Sequence, residues 1–323
     1  MAHKQLAVGI DIGGTNTVFG FVDREGKIHA EDKLKTGHFT EAGTFVKALY
    51  EKITTTHQKI DIDNEISGFG ICAPMGNINK GTIENPANLP WKGIIPFADL
   101  FRQYASQTVI VTNDANAAAV GEMVFGGAKG MKNFIVITLG TGLGSGFVVD
   151  GMLVYGHDGF AGELGHISVR PKQSGRECGC GKKGCLETYV SATGLKRTLF
   201  KLLADSIKPS ELRKYSFDQL DSELIHEAAK RGDQLALKAF EHTGQMLGFK
   251  LADVVAHTNP EAIFLFGGLA QAKDLIFKPA KEAMEGNLLH IYRGKVKLLP
   301  SELSARNAAV LGASSLIWSL KES

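Results

Sequence analysis

An α/β protein built from two related halves is the fold class this sequence predicts, and three observations predict it. Apolar runs of strand length alternate with stretches whose apolar residues recur at three and four positions, the mixed signature of sheet and helix. An opening unit of strand, glycine turn, strand, turn and strand returns in mid-chain, which points to a duplicated domain. At 323 residues the chain is also longer than one hydrophobic core ordinarily serves. The boundary is expected near an alanine-rich helix at 118–130, giving domains 1–120 and 121–304, with a last helix at 305–323 packing back onto the first sheet.

Taken in order, residues 6–10 form a short apolar strand, Asp11-Ile-Gly13-Gly14-Thr15-Asn16 a turn, and 18–22 and 27–34 two further strands. A helix from about residue 40 carries Ala42, Phe45, Val46, Leu49 and Ile53 on one face. Residues 66–71 read as a buried strand with glycines. The stretch 73–91, rich in Pro, Gly and Asn and without periodicity, reads as a long loop, a kind usually functional or disordered. The strand 108–112 ends at Asn113-Asp114, and a helix over 115–125 follows at once. In the second copy, 134–139 is a strand, Gly140-Thr141-Gly142-Leu-Gly144-Ser-Gly146 the glycine turn, and 147–149 and 152–155 the next strands. Ala236, Phe240, Thr243, Leu247, Leu251 and Val254 make a helical stripe that Pro260 ends. The strand 262–266 then runs into Gly267-Gly268, and 295–299 is the last strand.

Between these copies of sheet and the helical C-terminal part lie Glu163-Leu-Gly-His166 and Cys178-Gly-Cys180-Gly-Lys-Lys-Gly-Cys185-Leu-Glu187. Three thiols and an imidazole are zinc donors, and three Cys with one His form a closed tetrahedral set that would place the flanking carboxylates rigidly. Disulfides would leave one clustered cysteine over, and Cys178 and Cys180 are too close in sequence to bridge without strain. Reduced structural cysteines and redox chemistry are the competing readings. The run Gly179 to Gly184 also matches the dinucleotide pattern G-x-G-x-x-G, but it follows a polar loop where that fingerprint requires a strand, so the match is accidental.

Glycine turns between strands let backbone N–H groups converge on an anion, although singly such a turn is more often a tight hairpin. Two of them in a duplicated context could hold successive phosphates of one nucleotide. No G-x-x-x-x-G-K-[ST] occurs, which excludes a P-loop enzyme. Phosphoryl transfer needs Mg²⁺ on the phosphates and a carboxylate to take the proton of the attacking hydroxyl. Asp114 is the candidate base and Asp11 the candidate carboxylate near the metal, acting through water. An Asp between strand and helix also serves as an N-cap, so position alone does not make Asp114 catalytic. Asn113, Glu163, His166 and Glu187 form a polar set suited to the several hydroxyls of a polyol.

Asp11-Ile-Gly-Gly-Thr15, Asn113-Asp114, Glu163-Leu-Gly-His166 and the cysteine run together resemble the signature set of the ROK family (repressor, open reading frame, kinase), most closely its bacterial glucokinases, in the right order over the whole chain. The resemblance implies a duplicated actin-like, ribonuclease H-like ATPase fold with ATP in an interdomain cleft. It implies phosphorylation of a hexose at the 6-hydroxyl with Asp114 as base, and a homo-oligomer, dimer or tetramer. By the same carry-over Asn113, Asp114, Glu163, His166 and Glu187 hold sugar hydroxyls, Gly76 and Asn88 close over the sugar, and His166 serves both zinc and sugar. Asp11, Gly13, Gly14, Thr15, Asn16, Gly140, Thr141, Gly142 and Gly144 fall to ATP and Mg²⁺, and Gly267 and Gly268 to the adenosine. Asn16 departs from the pattern, since many members carry Lys there.

The expected activity is therefore ATP-dependent phosphorylation of glucose to glucose 6-phosphate. N-acetylglucosamine, N-acetylmannosamine and fructose are the alternative acceptors. A sugar-responsive repressor is the non-enzyme alternative, disfavoured because the Asp11 turn lies almost at the first residue and leaves no room ahead of it for a helix-turn-helix domain. With 36 basic and 34 acidic residues and a net charge of +2, the chain has no basic surfeit to suggest a nucleic-acid partner. No apolar run reaches the length of a membrane span and no signal-peptide core opens the chain, so a cytoplasmic protein is expected.

Overall fold

The computed structural model describes residues 4–303 and 308–320. The opening apolar run extends to β1 (Lys4–Ile12), which pairs antiparallel with β2 (Thr17–Val22), and β2 pairs with β3 (Ile28–Leu34). Helix α1 (Ala42–His57) then buries Phe45, Val46, Leu49 and Ile53, the face expected from their spacing. Next come β4 (Asn64–Cys72), β5 (Gly76–Asn77), β6 (Thr82–Glu84), β7 (Ile94–Ile95), α2 (Phe97–Arg102), β8 (Thr108–Thr112) and α3 (Asp114–Val124). The stretch read as one long loop thus contains β5 and β6, which join β7 in a small sheet; strands of two or three residues are too short to show alternation.

A second series follows: β9 (Phe134–Leu139), β10 (Leu143–Val149), β11 (Met152–Leu153), α4 (Ala192–Asp205), α5 (Ser222–Lys230), α6 (Gln234–Thr258), β12 (Ala262–Phe266), α7 (Asp274–Asn287) and β13 (Lys297–Pro300). Here the glycine turn is shorter than expected. Gly140 N–H bonds Gly142 O at 3.0 Å and β10 begins at Leu143, so Gly144 and Gly146 pair in the strand with Thr138 and Val136. Asp233 caps α6, and Asn259, left-handed at φ 43°, ends it one residue before Pro260.

The two large sheets have the same strand order. One is β3-β2-β1-β4-β8, the other β11-β10-β9-β12-β13. In each, the first strand pairs antiparallel with the second and parallel with the fourth, and the fourth is parallel to the fifth. Each sheet lies in its own compact unit: Met1–Met131 with Leu153–Ala161 and Glu302–Ser323, and Lys132–Met152 with Gly162–Ser301. The sequence-based division at 120 falls inside α3, which belongs wholly to the first unit. Of the closing helix expected at 305–323, residues 305–307 and 321–323 lie outside the described residues.

The helix α8 (Ala308–Ser319) belongs to the first unit and comes unusually close to its sheet. A Cβ at Gly9 of β1 would collide with the Val310 carbonyl, and one at Gly70 of β4 with that of Ala313. On the helix's own side, a Cβ at Gly312 would stand 2.7 Å from the Ala117 oxygen. These glycines admit backbone where side chains would otherwise stand. Among the described residues no helix is long and apolar enough to cross a membrane.

Candidate active site

Three parallel strands of the first unit end side by side, and they bring the key carboxylates together. Cys72, the last residue of β4, pairs with Asp11 of β1 on one side and Thr112 of β8 on the other. Asp114 stands two positions beyond Thr112, as the first residue of α3. The carboxyl ends of such strands are where ligands of α/β sheets bind. Cys72 Sγ donates to Asp11 Oδ1 at 3.4 Å. Burial raises the Asp11 carboxyl above its ordinary value; the bond from Cys72 opposes this and the charge of Asp114 adds to it. Asp114 keeps surface open to solvent, yet protein crowds its carboxyl closely enough that desolvation raises its pKa against the bonds from the Ala115 N–H and its own. Burial, with the charges of Asp11 and Asp114, pushes the Cys72 thiol well up, so it stays a neutral donor.

The N-cap of α3 is Asn113, not Asp114. Asn113 Oδ1 accepts the Asn116 N–H at 2.7 Å, while the Asp114 carboxyl meets the adjacent Ala115 N–H at 3.0 Å and its own N–H, neither of which is a capping bond. The capping alternative for Asp114 therefore falls away, and part of Asn113's hydrogen-bonding capacity is spent inside the fold. Gly76 sits against this junction: a Cβ there would collide with Thr112 O. Asn88 is exposed, and its carbonyl occupies the place a Cβ on Gly14 would need. Gly14 thus admits the loop as well as any ligand. Gly13 N–H bonds Asn16 O at 3.0 Å, and none of the described hydrogen bonds uses the N–H of Gly14, Thr15 or Asn16.

In the second unit, the short 3₁₀ turn after Glu163 places His166 Nδ1 3.7 Å from Cys178 Sγ and Nε2 3.8 Å from a Glu163 oxygen. Cys180 and Cys185 sulfurs are 3.7 Å apart, and the four ligand atoms of His166, Cys178, Cys180 and Cys185 all lie within 4.8 Å of one another. A disulfide needs sulfurs about 2 Å apart. A tetrahedron with metal–sulfur bonds of about 2.3 Å has sulfur–sulfur edges of about 3.8 Å, so the donors fit a closed zinc site. The loop doubles back through bridges Ser168–Cys185 and Glu177–Lys183. Arg176 anchors it, donating to the carbonyls of Thr188 and Gly194 and to Thr198 Oγ1, with its guanidinium over the Tyr189 ring.

Glu187 is turned into the protein. Its Oε2 accepts the Leu143 N–H at 2.9 Å and its Oε1 lies 3.7 Å from Cys178 Sγ. The glycines of the second unit divide into two kinds. Gly142 makes room for Glu187, and Gly267, at φ 101°, for the Leu139 backbone. Gly140 and Gly268 would carry a Cβ into open space, and no left-handed φ requires glycine at either. Of the remaining expected residues, Thr141 is exposed, and Gly144 N–H is taken by Thr138 Oγ1 at 3.1 Å. Sequence reasoning misses Cys72 and Arg176; the position of Cys72 at the end of a strand is the available signal for the first.

A repeated sheet of order 3-2-1-4-5 with a glycine turn after its first strand is the duplicated ribonuclease H-like architecture, and the protein is of the actin-like ATPase fold. A model of the ROK family matches residues 7–319, and the chain belongs to the ROK family. It is similar to the glucokinase of Halalkalibacterium halodurans, 35% identical over 87% of this chain and 86% of that one. It is also similar to the glucokinase of Thermotoga maritima, 31% identical over 97% and 98%. Among solved structures, the ROK family glucokinase of Streptomyces griseus in complex with glucose and AMPPNP superposes with a TM-score of 0.79 at 32% identity, covering 96% of this chain and 98% of that one.

Proposed function

We propose that the chain transfers the γ-phosphoryl group of ATP to the 6-hydroxyl of a hexose, with glucose the preferred acceptor. The observation that carries this is Asp114: a carboxylate at the end of β8, freed from capping by Asn113, with a raised pKa and Asp11 nearby. The relatives named glucokinase supply the substrate class. In the reaction the hydroxyl oxygen forms a bond to the γ-phosphorus as the bond to the β–γ bridging oxygen breaks. Asp114 takes the hydroxyl proton, and ADP leaves. Asp11, through water, is the residue suited to Mg²⁺, which when bound neutralises phosphate charge. Asn113, Glu163, His166 and Glu187 are assigned to the sugar hydroxyls, with Gly76 and Asn88 beside them. Gly13 to Asn16, Gly140 to Gly142, Gly267 and Gly268 are assigned to the nucleotide. His166, Cys178, Cys180 and Cys185 hold a structural zinc, whose four protein ligands leave no position for substrate. A coupled ADP-release assay over glucose, mannose, fructose, N-acetylglucosamine and N-acetylmannosamine tests the reading. ADP release independent of every sugar sinks it.

His166→Cys separates the two roles of one imidazole. Nδ1 faces the cysteines and a thiolate can replace it on zinc, whereas Nε2, on the Glu163 side, has no substitute. Losing one hydrogen bond to a sugar hydroxyl costs about 1–3 kcal/mol, so sugar affinity is expected to fall roughly 5- to 150-fold with zinc content and ATP affinity kept. Calorimetry with glucose beside metal analysis reads this; full sugar affinity in a zinc-loaded variant makes His166 a ligand only.

Gly268→Ala tests the open glycine. Its methyl meets nothing within 4 Å, so the folded state is expected to tolerate it or gain a few tenths of a kcal/mol from the unfolded side. The KM for ATP should rise several-fold at unchanged Tm and unchanged KM for sugar. An unaltered KM for ATP removes Gly268 from the nucleotide site.

A further inference from the structure

The second glycine turn has little of its own to hold it in shape. Within it runs a single bond, from the Gly140 N–H to Gly142 O. The remaining restraints come from the chain around and after the cysteine loop. Glu187 Oε2 accepts the Leu143 N–H at 2.9 Å, the Ala192 N–H donates to Gly140 O at 2.9 Å, and Thr193 Oγ1 donates to Thr141 O at 3.0 Å. From the other side, Gly165 lets the Leu143 carbonyl approach where a Cβ would collide with it. None of the described hydrogen bonds uses the N–H of Thr141 or Gly142. Those two donors are what the restrained turn leaves for a ligand.

Glu187 is the only side chain among these restraints that also reaches the cysteine cluster, its Oε1 lying 3.7 Å from Cys178 Sγ. A carboxylate has enough lone pairs to accept the Leu143 N–H and still meet a hydroxyl. Gly142 is built around it, since a Cβ there would collide with Oε2. We propose that Glu187 is a positioning residue for the nucleotide: carried on the chain that leaves the cysteine loop, it accepts the Leu143 N–H and so fixes the turn with the Thr141 and Gly142 N–H groups converging on phosphate. This rests on the reading of Gly140–Leu143 as a phosphate turn, and it adds a role to the one assigned to Glu187 at the sugar. An anion cradle of backbone N–H groups is effective only when the backbone is fixed beforehand.

The test titrates Mg²⁺-AMPPNP into the full chain with no sugar present, so that the sugar role of Glu187 is silent. Glu187→Ala is expected to weaken nucleotide binding about 5- to 150-fold, the scale of one lost charge-assisted bond. Gly142→Ala, which displaces the carboxylate without altering it, is expected to show a defect of the same order in the same sugar-free titration. Because both changes break the same contact, the double variant should be no worse than the poorer single one. Glu187→Gln can turn its carbonyl to Leu143 N–H and its amide to the sulfur, and is expected to restore most of the affinity. Wild-type nucleotide binding that survives Glu187→Ala and Gly142→Ala unchanged overturns the inference alone. A wild-type chain that binds no nucleotide overturns the kinase reading, and the inference with it.

Discussion

Replacing Asp114 with Asn is expected to lower kcat by about 10²- to 10⁴-fold, the range of general-base contributions, and at the same time to raise the melting temperature at neutral pH. The two effects have one cause. Burial raises the Asp114 carboxyl above its ordinary value, which means that the folded state favours the protonated form. A group with a raised folded pKa contributes its stability below the unfolded value, near 3.9, and loses it as pH climbs through the folded value. At pH 7 the ionised carboxylate is thus a burden on the fold, tolerated for its basicity. Asn keeps the shape and removes the charge. Because Asn113 caps α3, the substitution leaves the helix start intact. The gain in Tm should shrink toward zero as the melts are repeated near pH 4, and the acidic limb of kcat/KM in the wild type should lie above the ordinary Asp range. A variant with near-wild-type turnover, or one that melts lower than wild type at pH 7, would falsify the assignment of a desolvated base.

Such trade-offs bear on how much could be read from the chain. The strands at 108–112, 134–139 and 262–266 were legible to the residue, because largely buried apolar runs bounded by turn residues leave little choice of limits. The glycine turn of the second half was read too long: Gly144 and Gly146 are turn residues by composition, and only the pairing with Thr138 and Val136 shows them to be in a strand. Capping stays open as a competing reading of Asp114 in the sequence because the hydrogen bond that decides between neighbours, from the Asn116 N–H to Asn113 Oδ1, depends on a backbone conformation no spacing encodes. Cys72 escapes sequence reasoning for a similar reason. Its distance in sequence from the cysteine cluster is large, but parallel pairing of β1, β4 and β8 sets it beside Asp11. The four donors of the cluster lay within one short segment, where the chemistry of the residue types was informative before any geometry. Arg176 carried no such mark, since one arginine in a polar loop is ordinarily a solvated charge.

The same loop yields the second large effect: Cys180→Ser is expected to lose the metal and lower the melting temperature by roughly 10 °C. Residues 170–184 are mostly exposed, and apart from the Arg176 anchor and two isolated bridges little apolar packing fixes them. A ligand bound to the folded state at a thousand times its dissociation constant stabilises by about 4 kcal/mol. For domains of roughly 150–250 residues each kcal/mol moves Tm by about 2–4 °C, which gives a fall of about 8–16 °C when the metal is absent. Cys180 is the informative position because it is exposed, whereas Cys178 and Cys185 are buried and their replacement would disturb packing as well as ligation. Serine changes little there except the donor. Chelation of the wild type should reproduce the variant's lower Tm, and added zinc should reverse it in the wild type but not in Cys180→Ser. The fourth ligand can be checked independently, since His166→Cys should bind zinc and melt near the wild type. If purified wild-type protein carries no zinc and a chelator leaves its melting unchanged, the cluster is three reduced cysteines and a histidine held by Arg176 and the backbone alone.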